Sequence, residues 1–124
     1  MEKRRLRPIH EVRVPHDVGG KAMKVFISGR ITDDSSYKKK FDYAAASIER
    51  KLGDSVILNP ATLPTGLSEK DYMRICIAML EAADVAVFLP SWELSSGSKA
   101  ERAMAEKLGI VCVELTEMEK WGDL

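Results

Sequence analysis

Cysteine, histidine and net charge are all scarce in this chain, and each shortage removes a class of function. Cys76 and Cys112 are the only two cysteines among 124 residues. They form no CxxC pair, so neither a disulfide framework nor a cysteine zinc site is expected. With no leader-like segment in the sequence, a reducing cytoplasmic setting is the expectation. His10 and His16 stand in a stretch without helical period or a neighbouring cysteine, and no metal or other cofactor is expected. The 19 basic and 19 acidic residues cancel, which argues against nucleic acid as a partner held by overall charge. No apolar run reaches the roughly 20 residues that a membrane-spanning helix needs, so no membrane association is expected. Both the GxxxxGK[ST] and the GxGxxG phosphate loops are missing. The partner class left open is a small polar or anionic molecule.

Apolar residues at 45% and charged residues at 31% describe an ordinary globular chain, of a length that suits one domain. Residues 1–22 combine a basic cluster, two prolines and Gly19-Gly20, and read as an arm, with Val12 and Val14 able to dock as an edge strand. The domain proper is expected over residues 23–124. No internal repeat or low-complexity block interrupts it.

From Met23 onward, short apolar runs alternate with amphipathic segments. Lys24 to Ser28, Ser55 to Leu58, Val85 to Leu89 and Ile110 to Val113 are near-continuous apolar stretches, as strands buried on both faces require. Helical spacing predicts helices from about Ser36 to Leu52, from Ser68 through Ala83, and from Ser98 to Leu108. Gly53 and Gly109 act as stops, and a capping-box start at Thr116 gives one last turn or two. The expected fold class is α/β: a flavodoxin-like or Rossmann-like three-layer sandwich whose parallel sheet runs in the order 2-1-3-4, with a possible extra edge strand. Ligands of such sheets bind at the carboxyl edge where the strand order reverses. Two segments meet there: Ser28-Gly29-Arg30-Ile31-Thr32-Asp33-Asp34, and the loop that opens with Ser91-Trp92-Glu93.

That second loop continues as Ser95-Ser96-Gly97-Ser98-Lys99-Ala100-Glu101 and runs into an alanine-rich helix. A helix amino terminus presents unpaired N–H groups and a partial positive charge, so it attracts anions. Serine hydroxyls add donors, and Gly97 permits close approach to the backbone. The bland explanation is a capping box with Ser98 as N-cap and Glu101 at the third helical position. A carboxylate there is held ionised by the helix dipole, and an ionised carboxylate is what a glycosyl nucleophile must be. Arg30 is placed to pair with an anion or to stay in solvent. Asp33 and Asp34 suit a helix cap, a sugar hydroxyl or a proton donor. Trp92 is placed to stack on a base or to pack, with Trp92 and Trp121 also possible assembly surfaces. Met73, Met79 and Met104 read as core, and so does Cys76.

Five motifs taken together carry a resemblance: Lys24-Val25-Phe26-Ile27-Ser28-Gly29-Arg30-Ile31-Thr32; Asn59-Pro60-Ala61-Thr62-Leu63; Asp71-Tyr72-Met73-Arg74; Ala83-Asp84-Val85-Ala86-Val87-Phe88-Leu89-Pro90-Ser91-Trp92-Glu93; and Ser95-Ser96-Gly97 with Glu101 and Ala105. As a set over about residues 24–114 they resemble the DUF4406 family. That family is similar in pattern to the nucleoside 2-deoxyribosyltransferases and the deoxynucleoside 5′-monophosphate N-glycosidases. The resemblance implies cleavage or exchange of the N-glycosidic bond of a nucleoside or its 5′-monophosphate. Glu101 would be the nucleophile and Ser95 a phosphate ligand, with Ser28, Gly29, Arg30, Cys76, Trp92, Ser96, Gly97 and Ser98 around the substrate. It also implies a homodimer or larger homo-oligomer. Two positions depart from the pattern. Cys76 stands where relatives carry an aspartate that assists the leaving base, and Phe26 where several carry a tyrosine. The alternative expectation is a nucleotide-binding module with impaired catalysis.

Overall fold

In this computed structural model, residues 17–18 and 21–122 are described. The expected arm up to residue 16, with His10, His16, Val12 and Val14, and the Gly19-Gly20 pair lie outside them. Asp17–Val18 (β1) pairs antiparallel with the start of Lys21–Ser28 (β2), Asp17 opposite Ala22 and Val18 opposite Lys21. The described sheet therefore starts before Met23. The other strands are Ser55–Leu58 (β3), Val85–Phe88 (β4) and Val111–Glu114 (β5). Strands β3, β2, β4 and β5 lie side by side in that order, all parallel. Among the four expected strands this is the order 2-1-3-4, and the chain has the α/β three-layer architecture read from its alternating pattern.

The helices are Tyr37–Leu52 (α1), Glu69–Glu81 (α2), Ser96–Leu108 (α3) and Leu115–Met118 (α4). Helix α2 starts as its sequence demands: the Ser68 hydroxyl accepts from Asp71 N–H at 3.1 Å. Ahead of α1 the capping is displaced. Ser36 makes no side-chain cap; instead Asp34 accepts from the Ser36 N–H at 2.9 Å and from Lys40 Nζ at 2.8 Å. The capping box expected at Thr116 does not form either. Helix α4 follows β5 directly, with Glu114 at its N-cap making no side-chain cap bond, because burying Leu115, Met118 and Trp121 fixes where the chain turns. Trp121 thus belongs to the interior, not to an assembly surface. Among the described residues no helix is long and apolar enough to cross a membrane.

Strand pleating sorts the apolar residues into two cores. Met23, Val25 and Ile27 of β2, with Val85 and Val87 of β4, face Phe41, Ala44 and Ile48 of α1. Phe26, Ala86 and Phe88 face the other way, towards Cys76 and Leu80 of α2 and Ala105 of α3. Ser28 lies two residues beyond Phe26, so the pleat turns it to the α2 and α3 side, where it is 1% exposed. Counting by twos along β2 thus delivers a hydroxyl to the inner surface of α3.

The strand end is fixed by a close approach. A Cβ added to Gly29 would sit 2.6 Å from Leu89 Cδ1 and 2.9 Å from its Cγ, while Leu89 N–H donates to Ser28 O at 2.9 Å. Leu89 is 4% exposed and has little room to withdraw. Gly29→Ala is expected to lower stability by about 1–3 kcal/mol, the usual range for overpacking, as read by urea unfolding. An unchanged midpoint would show that Leu89 yields freely.

Candidate functional site

Helix α3 begins earlier than its sequence suggests, and this changes what Glu101 is for. Ser95, not Ser98, is the N-cap: its backbone is extended and its hydroxyl accepts from Ser98 N–H at 3.1 Å. The capping box built on Ser98 and Glu101 is thereby replaced by a cap three residues upstream. Ser98, Glu101 and Ala105 follow at spacings of three and four, and form the buried stripe of the helix. Glu101 caps nothing. It sits in the second turn, beyond the reach of the strongest dipole field, and is 5% exposed.

Its partner comes from β2. The Ser28 hydroxyl lies 2.6 Å from Glu101 Oε1 and 3.0 Å from Ser98 Oγ. With one proton to give, Ser28 donates to the carboxylate, which leaves Ser98 to donate to Ser28. Among the described residues Glu101 Oε2 has no hydrogen-bond partner, and it is not sealed from the cleft. Burial pushes the Glu101 carboxyl up from its ordinary 4.5 to about 7, and the Ser28 bond acts in the opposite sense. The expectation that a helix dipole keeps this group ionised is corrected: desolvation is the larger effect.

In front of Glu101 opens a cleft of about 540 Å³, at the carboxyl edge of the sheet between the β2 loop, the start of α2 and the start of α3. This volume lies within the range that holds small organic ligands. Gly29, Arg30 and Cys76 line it from one side, and Ser95, Ser96, Gly97 and Ser98 from the other. Ser28 stands behind Glu101 as its support. At the helix tip, Lys99 N–H returns to Ser95 O at 2.9 Å and Ser98 N–H to Ser95 Oγ, whereas the N–H groups of Ser96 and Gly97 have no acceptor among the described residues. Two free donors and two serine hydroxyls therefore meet at the positive end of a helix of thirteen residues.

Arg30 is exposed on the rim, its Nε donating to Thr32 O at 3.2 Å. Asp33, left-handed at φ 63, also lines the cleft, whereas Asp34 is occupied by Ser36 and Lys40. Cys76 on α2 is 4% exposed, and burial followed by the neighbouring Glu101 charge pushes its thiol up to about 12. It is both a core residue and part of the cleft floor.

Trp92 lies outside the cleft. It packs in a tilted stack on Phe88 with ring centroids 5.5 Å apart, and the Arg102 guanidinium lies over both rings at 4.9 and 5.0 Å. The pleat explains this placement. Phe88 points to the α3 side of the sheet, so the turn that follows lays Trp92 against the helix and away from the ligand edge. Reading residues singly also missed Tyr72, Met73 and Leu94, which wall the cleft. Tyr72 and Met73 precede Cys76 by four and three residues and share its helix face, a spacing from which their place was available.

Ser28 carries a prediction. Removing a hydrogen bond to the charged form of Glu101 moves its acidity further towards the neutral side. With Ser28→Ala, the pH midpoint of any activity that needs ionised Glu101 is expected to rise above that of the wild type, and Ser28→Thr is expected to restore it. A midpoint that stays in place under Ser28→Ala would contradict the assigned bond.

The family described as a domain of unknown function (DUF4406) matches residues 23–114, the stretch that contains the sheet and the cleft. No curated protein and no solved structure matches the chain.

Proposed function

We propose, on the premise that this chain belongs to the DUF4406 family, that it cleaves or exchanges the N-glycosidic bond of a nucleoside or nucleoside 5′-monophosphate. One observation carries the reading: Glu101 is a buried carboxyl with one oxygen held by Ser28 and the other unpaired beside a ligand-sized cleft. A carboxyl 5% exposed whose free oxygen meets only the cleft carries a desolvation cost that a ligand in the cleft would offset.

The free N–H groups of Ser96 and Gly97 and the nearby serine hydroxyls receive the 5′-phosphate, and the pentose lies with its C1′ towards Glu101. The Oε2 lone pair bonds C1′ while the C1′–N bond breaks, and the base leaves with the bonding pair. Water attacking C1′ then releases the sugar and regenerates the carboxylate, its proton passing to solvent. A second base in place of water gives exchange. The Ser28 hydroxyl keeps Oε1 fixed, which presents Oε2 in one orientation. Because the nucleophile must be ionised, activity is expected to rise with pH through about 7, where Glu101 titrates.

Two free cysteines suit a cytoplasmic setting, and self-association into a homodimer or larger belongs to the same proposal. The second reading is a nucleotide-binding module, favoured by Cys76, a neutral thiol where a leaving base would gain from an acid. The separating experiment offers a panel of 2′-deoxynucleosides, 5′-monophosphates and base-modified forms, and follows free base together with the thermal midpoint. Base release supports the enzyme. Stabilisation by a monophosphate without release supports the binding module, and neither effect sinks both.

A further inference from the structure

A base that leaves a sugar takes the bonding pair with it. A neutral purine or pyrimidine leaves as an anion unless a side chain delivers a proton, whereas a base that already carries positive charge on its ring leaves neutral. The side chains around this cleft suit the second case. Glu101, used as nucleophile, does not donate a proton in the same step. Beside it Cys76 makes no hydrogen bond among the described residues and is 4% exposed, and a thiol pushed up to about 12 is far too weak an acid to help at neutral pH. The Tyr72 hydroxyl gives its proton to Pro64 O at 2.8 Å. Arg30 Nε donates to Thr32 O, and a guanidinium does not release a proton. Asp33, Glu69 and Lys70 lie exposed on the rim. What the inner cleft offers instead is polarizable: the Cys76 thiol, the half-buried Met73 thioether and the Tyr72 ring. Sulfur and π faces suit a flat cation, and the Glu101 carboxylate adds attraction.

We propose that the preferred substrates are N-glycosides whose aglycone is cationic, of the N7-alkylpurine or pyridinium type. This rests on the glycosidic-bond reading above. The step balances without a proton donor: Oε2 bonds C1′, the C1′–N pair moves into the cationic ring, and a neutral base departs. Water then cleaves the glycosyl ester, and its proton passes to solvent.

The test uses the full chain with 7-methyl-2′-deoxyguanosine and 2′-deoxyguanosine, each also as its 5′-monophosphate, and follows free base after subtraction of the buffer rate. The expected kcat/KM is at least about 100-fold higher for the methylated compound, the scale of a missing general acid. Cys76→Asp, which installs an acid, is expected to raise the rate on unmodified 2′-deoxyguanosine about 10-fold or more and so narrow the gap. Should that variant fail to fold, 2′-deoxyuridine and its 5-fluoro derivative, offered to the wild type, serve instead: the rate should climb with the acidity of the leaving base. Equal rates on methylated and unmodified substrates, a gap unmoved in folded Cys76→Asp, or a flat response to leaving-base acidity would each overturn the inference and leave the glycosidic reading standing. Release from no substrate at all would overturn both.

Discussion

Glu101→Gln is expected to lower base release by about 10³-fold or more while making the folded protein more stable above neutral pH. The first effect follows from deleting the group proposed to bond C1′; each tenfold loss is about 1.4 kcal/mol of barrier. The second follows from burial. The folded state binds the Glu101 proton more tightly than the unfolded chain does, since the carboxyl titrates near 7 when folded against an ordinary 4.5. The stability this proton confers is complete below about pH 4.5, is lost as pH rises through 7, and above that the chain carries a buried charge worth about 3 kcal/mol. Glutamine fills the same space without that charge. Urea unfolding should show wild type and variant diverging between pH 5 and pH 8 in favour of the variant. Parallel curves would mean that Glu101 is no desolvated acid. A site that sacrifices stability for reactivity is the behaviour expected of a functional group, not of a structural one.

Phe88→Ala is expected to lower stability by about 3–5 kcal/mol, the range for emptying a buried aromatic site. Phe88 is fully buried at the carboxyl end of β4. It also supports the Trp92 ring and the Arg102 guanidinium, so more than its own area is lost. Arg102 is further tied to Glu106 at 3.1 Å, and Trp92 opens the turn that leads to Ser95. Loosening Phe88 therefore disturbs the start of α3, and ligand binding should weaken along with stability. Guanidinium unfolding checks the first effect and monophosphate-induced thermal stabilisation the second. A loss below about 1 kcal/mol would mean that the site collapses without a cavity.

The strands were legible because burial on both faces leaves a chemical trace that needs no partner to be read. Val25, Phe26 and Ile27 cannot face solvent on either side. Right-handed crossovers gave the doubly wound sheet, its order 2-1-3-4 came from likeness to flavodoxin-like sheets, and the α2 start came from Ser68. The start of α3 was not legible. Ser95, Ser96 and Ser98 are all competent caps, and the choice among them is tertiary: the helix begins where Ser98 and Glu101 turn inward onto Ser28. The acidity of Glu101 is hidden for the same reason, since it depends on the walls that α2 and β2 bring up around it. Trp92 was ambiguous because its direction is set by Phe88, one turn earlier, and not by its own neighbours. Cys76 shows the limit of a single label. Its helical spacing marked it as core, and the same face of α2 also forms the floor of the cleft.

Acid quenching of the protein a few seconds after mixing with the fastest substrate, followed by mass spectrometry of the whole chain and its peptides, tests the central claim most directly. A covalent pentosyl adduct on the peptide bearing Glu101, absent from Glu101→Gln, is the predicted result. Base release at full rate with no adduct, and with Glu101→Gln equally active, would contradict it.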